Sequence, residues 1–393
     1  MAKIKIQNIG PITDVEIELN KVNVIMGPQS SGKSTIAKLI SYCQWVEKRY
    51  LLDGEYKEDV RKQLLKFHRL SENYFNEQSL FEPGQSFFEY ESDFIKISYT
   101  GKKLTKTITV NEDKISDYKK TKNIYIPAER NFVSVIPNLG RYNETNDNIM
   151  SFLYDWFSVK EESYIQNLAV LNLNVNYYYN KRNSLDMLSL ENGKKIPLRT
   201  GSSGLQSVVP LILMIEYLTN NIFDVETALS VKEDNYFSSL KEKYKITDNN
   251  EIAKLYKKRS FYNSTNFIIE EPEQNLFPST QRDLIYYILG KLQSGRDHSL
   301  TITTHSPYIL YALNNCILGK VVYDKMSEED KKRVNFQSAL ITPEKVSIYE
   351  IHEGTLKLIQ QEDGLIGSNY FDQNMREVMD DFYVFLKYCD DEE

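Results

Sequence analysis

The alternation of apolar and polar residues along the chain predicts a mixed α/β protein. Strict alternation, which is typical of half-buried strands, predicts strands at residues 3–8, 13–19 and 22–26. In the second half, short apolar runs alternate with helical periodicity, which predicts strands at 266–269 and 300–304 and helices at 279–292 and 308–314. This order of elements is typical of a mainly parallel sheet covered by helices.

The remaining patterns predict further elements around this sheet. Helical periodicity covers residues 34–50, 58–74, 148–157, 208–218 and 374–388. Strand patterns cover residues 86–110, 124–127, 170–179, 346–351 and 355–359. Residues 221–260 are polar and lysine-rich without a clear core face, so we interpret them as an insertion. No sustained heptad pattern is present, which argues against a long coiled-coil arm.

A glycine-bounded loop with the pattern of a P-loop follows the predicted strand at 22–26. Its sequence is Gly27-Pro28-Gln29-Ser30-Ser31-Gly32-Lys33-Ser34-Thr35. Backbone N–H groups of such a loop wrap nucleotide phosphates, and the next helix contributes the positive end of its dipole. Lys33 is expected to reach the β and γ phosphates, and the Ser34 hydroxyl to ligate Mg²⁺. The alternative is a glycine-rich turn before a core helix, but the preceding strand favours a nucleoside triphosphate site.

A short apolar run farther along ends in two carboxylates and a proline. Phe267-Ile268-Ile269-Glu270-Glu271-Pro272 has the pattern of a Walker B strand. Glu270 is expected to hold Mg²⁺ directly or through water, and Glu271 to polarise the water that attacks the γ-phosphate. Successive strand residues point to opposite faces, so both roles require a backbone turn, which Pro272 favours. A solvated acidic strand end is the alternative.

One of the four histidines of the chain follows the predicted strand at 300–304. From the end of a strand, His305 can hydrogen-bond the γ-phosphate and position the attacking water. Taken alone, a histidine beside a helix start is more often a cap or a packed residue. Its place downstream of Glu271 favours a functional role.

These segments occur in the order of the motifs of an ABC-type ATPase head. The P-loop is followed by Thr200-Gly201-Ser202-Ser203-Gly204-Leu205-Gln206, then Glu270-Glu271-Pro272-Glu273, then Thr304-His305-Ser306-Pro307. The chain resembles the RecF, SMC and OLD-like branch more than the transporters, because residues 4–12 are similar to the first hairpin of that branch. The last two segments are similar to those of OLD-type bacterial ATPases. The resemblance covers about half of the chain.

The resemblance implies roles for two further segments. In that family the signature segment of one subunit closes over the ATP of another, which places Ser202 and Gly204 at the partner's γ-phosphate, or Ser203 if the alignment shifts by one residue. Residues 125–130 follow a strand where the family has its Q-loop, but they include no glutamine. We expect Glu129 or Arg130 to face the nucleotide there. The family usually has aspartate in place of Glu270, whose side chain is one methylene longer.

The resemblance also implies the fold class and the division of the chain. We expect a P-loop NTPase of ABC-ATPase type, with a mainly parallel sheet, covering helices, an N-terminal antiparallel β subdomain and a helical subdomain. The single head, residues 1–393, would comprise an N-terminal lobe with P-loop and meander (1–135), a helical and signature subdomain (136–220), an insertion (221–262), a Walker B and histidine-switch part (263–318), and C-terminal strands and helix (319–393). Because the last part is short, we expect it not to contain a nuclease domain of the kind found in OLD enzymes.

Composition and charge limit the remaining choices. The chain has 393 residues, 41% of them hydrophobic, enough for a large core. A net charge of −7 argues against a surface that binds nucleic acid everywhere. The local clusters Lys102-Lys103, Lys119-Lys120 and Lys257-Lys258-Arg259 are candidates for phosphate contacts. The three cysteines show no metal spacing, and no secretory or membrane segment is recognisable, so a cytoplasmic protein without a membrane partner is expected.

The sequence as a whole predicts an enzyme that hydrolyses ATP to ADP and phosphate with Mg²⁺, as a head-to-tail dimer that encloses ATP. We expect this switch to act on DNA or on a separate nuclease or effector protein, in phage defence or DNA maintenance. A RecF- or SMC-like DNA-binding clamp in repair is the alternative. An ABC transporter motor subunit is disfavoured by the first hairpin and by the Thr-His-Ser-Pro segment.

Overall fold

The structure, a computed structural model, describes residues 2–54, 80–81, 84–100, 105–136, 139, 148–160 and 167–389. Its strands are β1 (Ala2–Ile9), β2 (Ile12–Leu19), β3 (Val22–Met26), β4 (Phe87–Glu91), β5 (Ile95–Thr100), β6 (Thr105–Val110), β7 (Thr121–Ile126), β8 (Leu168–Ala169), β9 (Val175–Asn180), β10 (Leu185–Leu190), β11 (Lys195–Pro197), β12 (Ser264–Glu270), β13 (Ser299–Thr304), β14 (Val346–His352) and β15 (Thr355–Leu358). Its helices are α1 (Lys33–Asp53), α2 (Phe132–Val135), α3 (Asn148–Lys160), α4 (Ser203–Asn220), α5 (Val231–Lys243), α6 (Asn249–Ser260), α7 (Pro278–Leu292), α8 (Pro307–Val322), α9 (Glu328–Arg333) and α10 (Tyr370–Leu386). The helix predicted at 58–74 lies outside the described residues.

The strands that position the site form the parallel part of an eleven-stranded sheet. Their order is β14-β3-β13-β12-β7, and each neighbouring pair is parallel. Every residue of β3 is buried, as expected for a strand covered on both faces. The carboxyl ends of parallel strands meet at one edge of a sheet, where ligands of α/β proteins bind. The P-loop, Glu271 and His305 each follow one of these strands at that edge, and the predicted fold class is confirmed.

The antiparallel strands continue the same sheet. Strands β6-β5-β4-β1-β2 pair antiparallel, and β15 joins them to the parallel part, since it lies parallel to β2 and antiparallel to β14. Apolar side chains of β1 pack with those of α1 in a shared core, among them Ile4, Ile6, Ile36 and Ile40. The predicted N-terminal β subdomain is therefore an extension of the main sheet, not a separate layer.

The signature region contains a second, four-stranded antiparallel sheet with the order β11-β10-β9-β8. The sequence pattern predicted strands only at 170–179, because residues 185–197 alternate weakly and include several charged residues. Tyr177 and Leu188 of this sheet are buried together with Trp156 of α3. Helix α4 is buried throughout its middle, so it is a core helix of the signature region.

The insertion is folded, contrary to the expectation that it has no core face. Helices α5 and α6 begin at side-chain caps supplied by Ser230 and Asp248. Phe237, Leu240 and Leu255 are buried. Each helix has only a few apolar residues on its inner face, and the lysines of the outer face dominate the composition. This is why the sequence pattern missed the packing.

The basic clusters of this region hold the insertion to the core. Three of their side chains bond within the protein: Lys258 Nζ donates to Ser116 O (3.0 Å), Arg259 Nη1 to Leu51 O (2.8 Å) and Lys120 Nζ to Thr227 Oγ1 (2.9 Å). Lys120 and Arg259 are buried. The prediction that these clusters contact DNA phosphates is therefore wrong for Lys120 and Arg259. Lys102 and Lys103 lie outside the described residues.

The C-terminal helix α10 agrees with the helix predicted at 374–388. Its apolar side chains Met375, Val378, Phe382 and Phe385 are exposed. Asp372 in its first turn accepts a hydrogen bond from Tyr311 Oη of α8 (2.6 Å), which fixes the start of the helix. In the part of the chain that the structure describes, no helix has the length and apolar character needed to cross a membrane.

Candidate functional site

Two glycines give the P-loop its shape. Gly27 has φ +147°, and a Cβ there would lie 2.5 Å from the Ile351 carbonyl oxygen. Gly32 has φ +103° and caps the N-terminus of α1. A side chain at either position would clash or strain the backbone. No acidic residue lies in the first turn of α1, so the positive end of this helix is open to an anion.

The P-loop lysine lies against its own loop. Lys33 Nζ donates to the carbonyl oxygens of Gly27 (2.9 Å) and Pro28 (2.6 Å). Burial lowers the pKa of Lys33 to about 8, and the charges of Glu271 and Glu273 oppose that effect. The lysine is therefore a partly desolvated cation close to the Walker B carboxylates.

Glu270 lies deep in the site beside the P-loop serine. Its side chain is buried, and Oε1 has no hydrogen-bond partner. Burial raises the pKa of Glu270, while hydrogen bonds from Tyr125 and Ser34 and the charge of Lys38 lower it. The Ser34 hydroxyl and an unpartnered carboxylate oxygen thus lie together, and hard oxygen donors of this kind fit Mg²⁺.

The backbone turns at Glu271, as the sequence pattern required. Glu271 has φ +42°, in the left-handed region. Its Oε1 lies 3.2 Å from His305 Nε2, and both side chains are 34% exposed, so water can reach them. The hydrogen bond with His305 lowers the pKa of Glu271, and the charges of Lys33 and Arg130 add to this. The arrangement is an ionised carboxylate paired with an imidazole, next to the P-loop lysine.

Glu273 is a structural residue of the site that sequence reasoning did not assign. Its Oε1 accepts hydrogen bonds from Thr304 Oγ1 (2.9 Å) and from the backbone N–H of His305 (2.7 Å). It therefore fixes the end of β13 from which the imidazole of His305 projects. Burial raises the pKa of Glu273, and these hydrogen bonds lower it. The only indication of this role in the sequence was the position of Glu273 in the Glu-Glu-Pro-Glu segment.

Of the two residues expected to face the nucleotide at the Q-loop position, Arg130 is buried and Glu129 is exposed. Arg130 is fully buried beneath the Walker B turn, with its guanidinium on backbone carbonyls. The prediction that Arg130 faces the nucleotide is therefore wrong. Glu129 is exposed, and its charge raises the pKa of Glu270. A role for Glu129 at the nucleotide stays a prediction.

The signature segment presents the start of α4 to the surface. Ser202 is the N-cap residue, and its Oγ accepts from the Leu205 N–H (3.4 Å). The side chains of Ser202 and Ser203 are exposed, whereas Gly204 packs so closely that a Cβ would lie 2.9 Å from Asn275 O. Among the described residues, no hydrogen bond joins this segment to the P-loop. The structure thus brings together the P-loop, Glu270, Glu271 and His305, and leaves the signature serines exposed at the surface.

Comparison with known protein families agrees with the site. The AAA ATPase domain family matches residues 138–310, which contain the signature segment, the Walker B strand and His305. No curated protein matches the sequence. The family match supports the predicted resemblance to a P-loop ATPase, and the RecF, SMC and OLD-like branch stays a prediction.

Solved structures show weak overall similarity. The SMC head domain of Thermotoga maritima has a TM-score of 0.39 and 11% identity, with 92% of this chain and 98% of that chain covered. An Smc head from Pyrococcus furiosus, bound to the C-terminal domain of ScpA, has a TM-score of 0.38 and 9% identity, with 97% and 99% covered. The recombination mediator RecF has a TM-score of 0.37 and 12% identity, with 91% and 97% covered.

Proposed function

We propose that this chain is an ATP-hydrolysing switch in which two copies enclose ATP between the P-loop of one and the signature segment of the other. The observation that carries the proposal is the Glu271–His305 pair beside Lys33 at the carboxyl edge of the parallel strands. The exposed serines at the start of α4 support the second half of each composite site.

In this mechanism the P-loop binds the triphosphate and Glu271 acts as the general base. Lys33 exchanges the carbonyls of Gly27 and Pro28 for the β and γ phosphates, which are stronger acceptors for a cation. Glu271 takes a proton from the attacking water as the new P–O bond forms and the bond to the β-phosphate oxygen breaks. His305 orients Glu271 through Nε2 before ATP binds, and rotation of the imidazole in the ATP complex would let this N–H donate to the γ-phosphate instead.

Ser34 and Glu270 are the residues that would hold Mg²⁺. The cation would neutralise charge on the β and γ phosphates during transfer. Two protein oxygens are fewer than the octahedral coordination of Mg²⁺ requires. In nucleotide sites, however, phosphates and water supply most of the ligands of Mg²⁺. The unpartnered Oε1 of Glu270 supports this assignment.

The switch follows from mass action. ATP that binds only the closed dimer stabilises closure by about 2.7 kcal/mol per site at a hundred times its dissociation constant. Two such sites shift the population from mainly open to mainly closed. Hydrolysis removes the γ-phosphate contacts and resets the open state. The proposed output is action on DNA or on a separate nuclease, in phage defence or DNA maintenance, and it is supported by the resemblance of the motifs to the OLD-like branch.

A DNA-binding clamp of the RecF or SMC kind remains the second candidate. The basic clusters support it less than the sequence suggested, because Lys120 and Arg259 are buried inside the protein and cannot contact DNA phosphates. DNA binding that requires ATP and weakens with salt would favour it. Co-purification with a nuclease would favour the first candidate, a switch that acts on a separate nuclease. The transporter motor has no supporting observation.

The dependence of the ATPase rate on protein concentration tests the proposal. Because each composite site needs two subunits, the rate per subunit should rise with concentration and level off once dimers form. The Lys33→Ala variant should be inactive at every concentration, since it lacks the phosphate-binding cation. Phosphate release at saturating ATP and Mg²⁺ measures both. A rate per subunit that is independent of concentration from the monomeric range upward would contradict the dimeric site.

A further inference from the structure

One buried arginine connects the Walker B turn to the signature helix. Arg130 lies in the short turn Ala128–Asn131 that follows β7, and its exposure is 0%. Its guanidinium donates to the carbonyl oxygens of Ser207 (Nε, 3.2 Å), Pro127 and Glu270 (Nη1, 3.4 and 2.9 Å), and Glu271 and Pro272 (Nη2, 2.9 and 3.1 Å). A guanidinium has five N–H groups, so every donor of Arg130 has an acceptor.

The acceptors of Arg130 belong to the main chain, so the side chain fixes backbone geometry. Burial lowers its pKa to about 10, and the charges of Glu273 and Glu271 oppose the decrease. It therefore stays charged at neutral pH. Lysine at this position would keep the charge. However, its three N–H donors are on one nitrogen atom, which cannot reach the carbonyl oxygens of α4 and of the Walker B turn at the same time.

The turn that Arg130 holds is the one that aims the proposed general base. Glu271 has φ +42°, a conformation that persists for a non-glycine residue only where the surroundings impose it. Its N–H donates to Thr303 O (2.9 Å) and its carbonyl accepts from Arg130 Nη2 (2.9 Å). Both peptide groups of Glu271 are thus fixed, and its side chain is directed toward His305.

The same arginine is attached to the signature helix. Its Nε donates to Ser207 O within α4. A second hydrogen bond joins α2, which follows Arg130 in the chain, to α4. It runs from Ser134 Oγ to Gln206 O (2.8 Å), next to the bond at Ser207. Gly204 at the start of α4 is packed against the carbonyl of Asn275, which follows the Walker B turn. The signature helix and the Walker B turn are therefore one packed unit, and Arg130 is its centre.

We propose that Arg130 is a positioning residue that couples the signature helix to the catalytic glutamate of the same subunit. This inference rests on the proposed function. When the signature segment engages the ATP of a second subunit, a displacement of α4 reaches the turn at Glu271 through Arg130. The base of one site thereby responds to ATP held in the other.

The Arg130→Lys variant tests this coupling, with Arg259→Lys as the matched control. Arg259 of the insertion is also buried, and its Nη1 also donates to a backbone carbonyl, that of Leu51 near the end of α1. ATP affinity, measured by equilibrium binding, should be unchanged in both variants, because neither arginine contacts the P-loop. The kcat of Arg130→Lys should fall by about a hundredfold, as expected for a small misplacement of a catalytic group. Arg259→Lys should retain the wild-type kcat.

Two results would overturn the inference while leaving the proposed function intact. One is a folded Arg130→Lys variant with wild-type kcat, and the other is an equal loss of kcat in Arg259→Lys, which would report general destabilisation. A wild-type protein that does not hydrolyse ATP would overturn both proposals.

Hydrogen exchange of the wild-type protein covers the case in which Arg130→Lys does not fold. On addition of a non-hydrolysable ATP analogue with Mg²⁺, amides of residues 205–209 and of residues 270–274 should change their exchange rates together. A change in one segment without the other would overturn the coupling.

Discussion

At the scale of residues, the site depends on a strained glutamate and on the groups that hold it. Glu271 and His305 could be proposed as site residues from the sequence, because an apolar run followed by a carboxylate or a histidine has a known chemical use at the end of a parallel strand. The supporting roles of Glu273 and Arg130 could not, because most of their partners are backbone atoms that are distant in sequence. The burial of Arg130 also reversed the expectation that it faces the nucleotide.

The His305→Ala variant should move the acidic limb of the kcat profile to higher pH. The hydrogen bond with His305 is the largest cause of the lowered pKa of Glu271. In the wild-type protein the base therefore stays ionised to a pH below the ordinary range of glutamate, and activity is lost as pH falls through that lowered pKa. Without His305, burial raises the pKa and the loss begins at higher pH.

The kcat at the optimum should also fall by about 10²-fold in His305→Ala, the usual cost of losing one donor to the transition state. The measurement is kcat at saturating ATP across the acidic pH range. His352→Ala is the control, since His352 is exposed on β14. An acidic limb at the same pH in all three proteins would contradict the assigned pairing.

At the scale of elements, periodicity predicted the parallel strands and the helices α7 and α10 well, whereas the helix predicted at 308–314 covers only the first half of α8. These elements have long, regular apolar faces. It failed for β10, β11 and the insertion, where few apolar residues are buried and tertiary contacts determine the structure. Charge patterns were also ambiguous, because sequence alone does not show whether a lysine or arginine points inward, as Lys120 and Arg259 do.

The packing of the insertion can be tested by Phe237→Ala. Phe237 is 5% exposed, so its truncation leaves a cavity and should destabilise the protein by about 3 kcal/mol. Urea unfolding measures the change, and Lys232→Ala on the exposed face of α5 is the control. Identical unfolding of the two variants would mean that α5 and α6 do not pack together around Phe237.

At the scale of the whole molecule, the proposed dimer would make one chain contribute halves of two different sites. The P-loop and the Walker B residues lie together, whereas Ser202 and Ser203 are exposed at the start of α4. Neither periodicity nor composition predicts that a second copy completes the site. That expectation came from the order of the motifs, and the exposure of the signature serines is compatible with it.

The most direct test of the composite site is the mass of the Glu271→Gln variant with and without ATP. Glutamine keeps the size of the side chain but removes the base, so ATP should bind and remain intact. Sedimentation with Mg²⁺ and ATP should show a stable dimer, and the nucleotide-free protein should be monomeric, as should Lys33→Ala in both conditions. A Glu271→Gln variant that stays monomeric with ATP bound, or that hydrolyses ATP at the wild-type rate, would contradict the account.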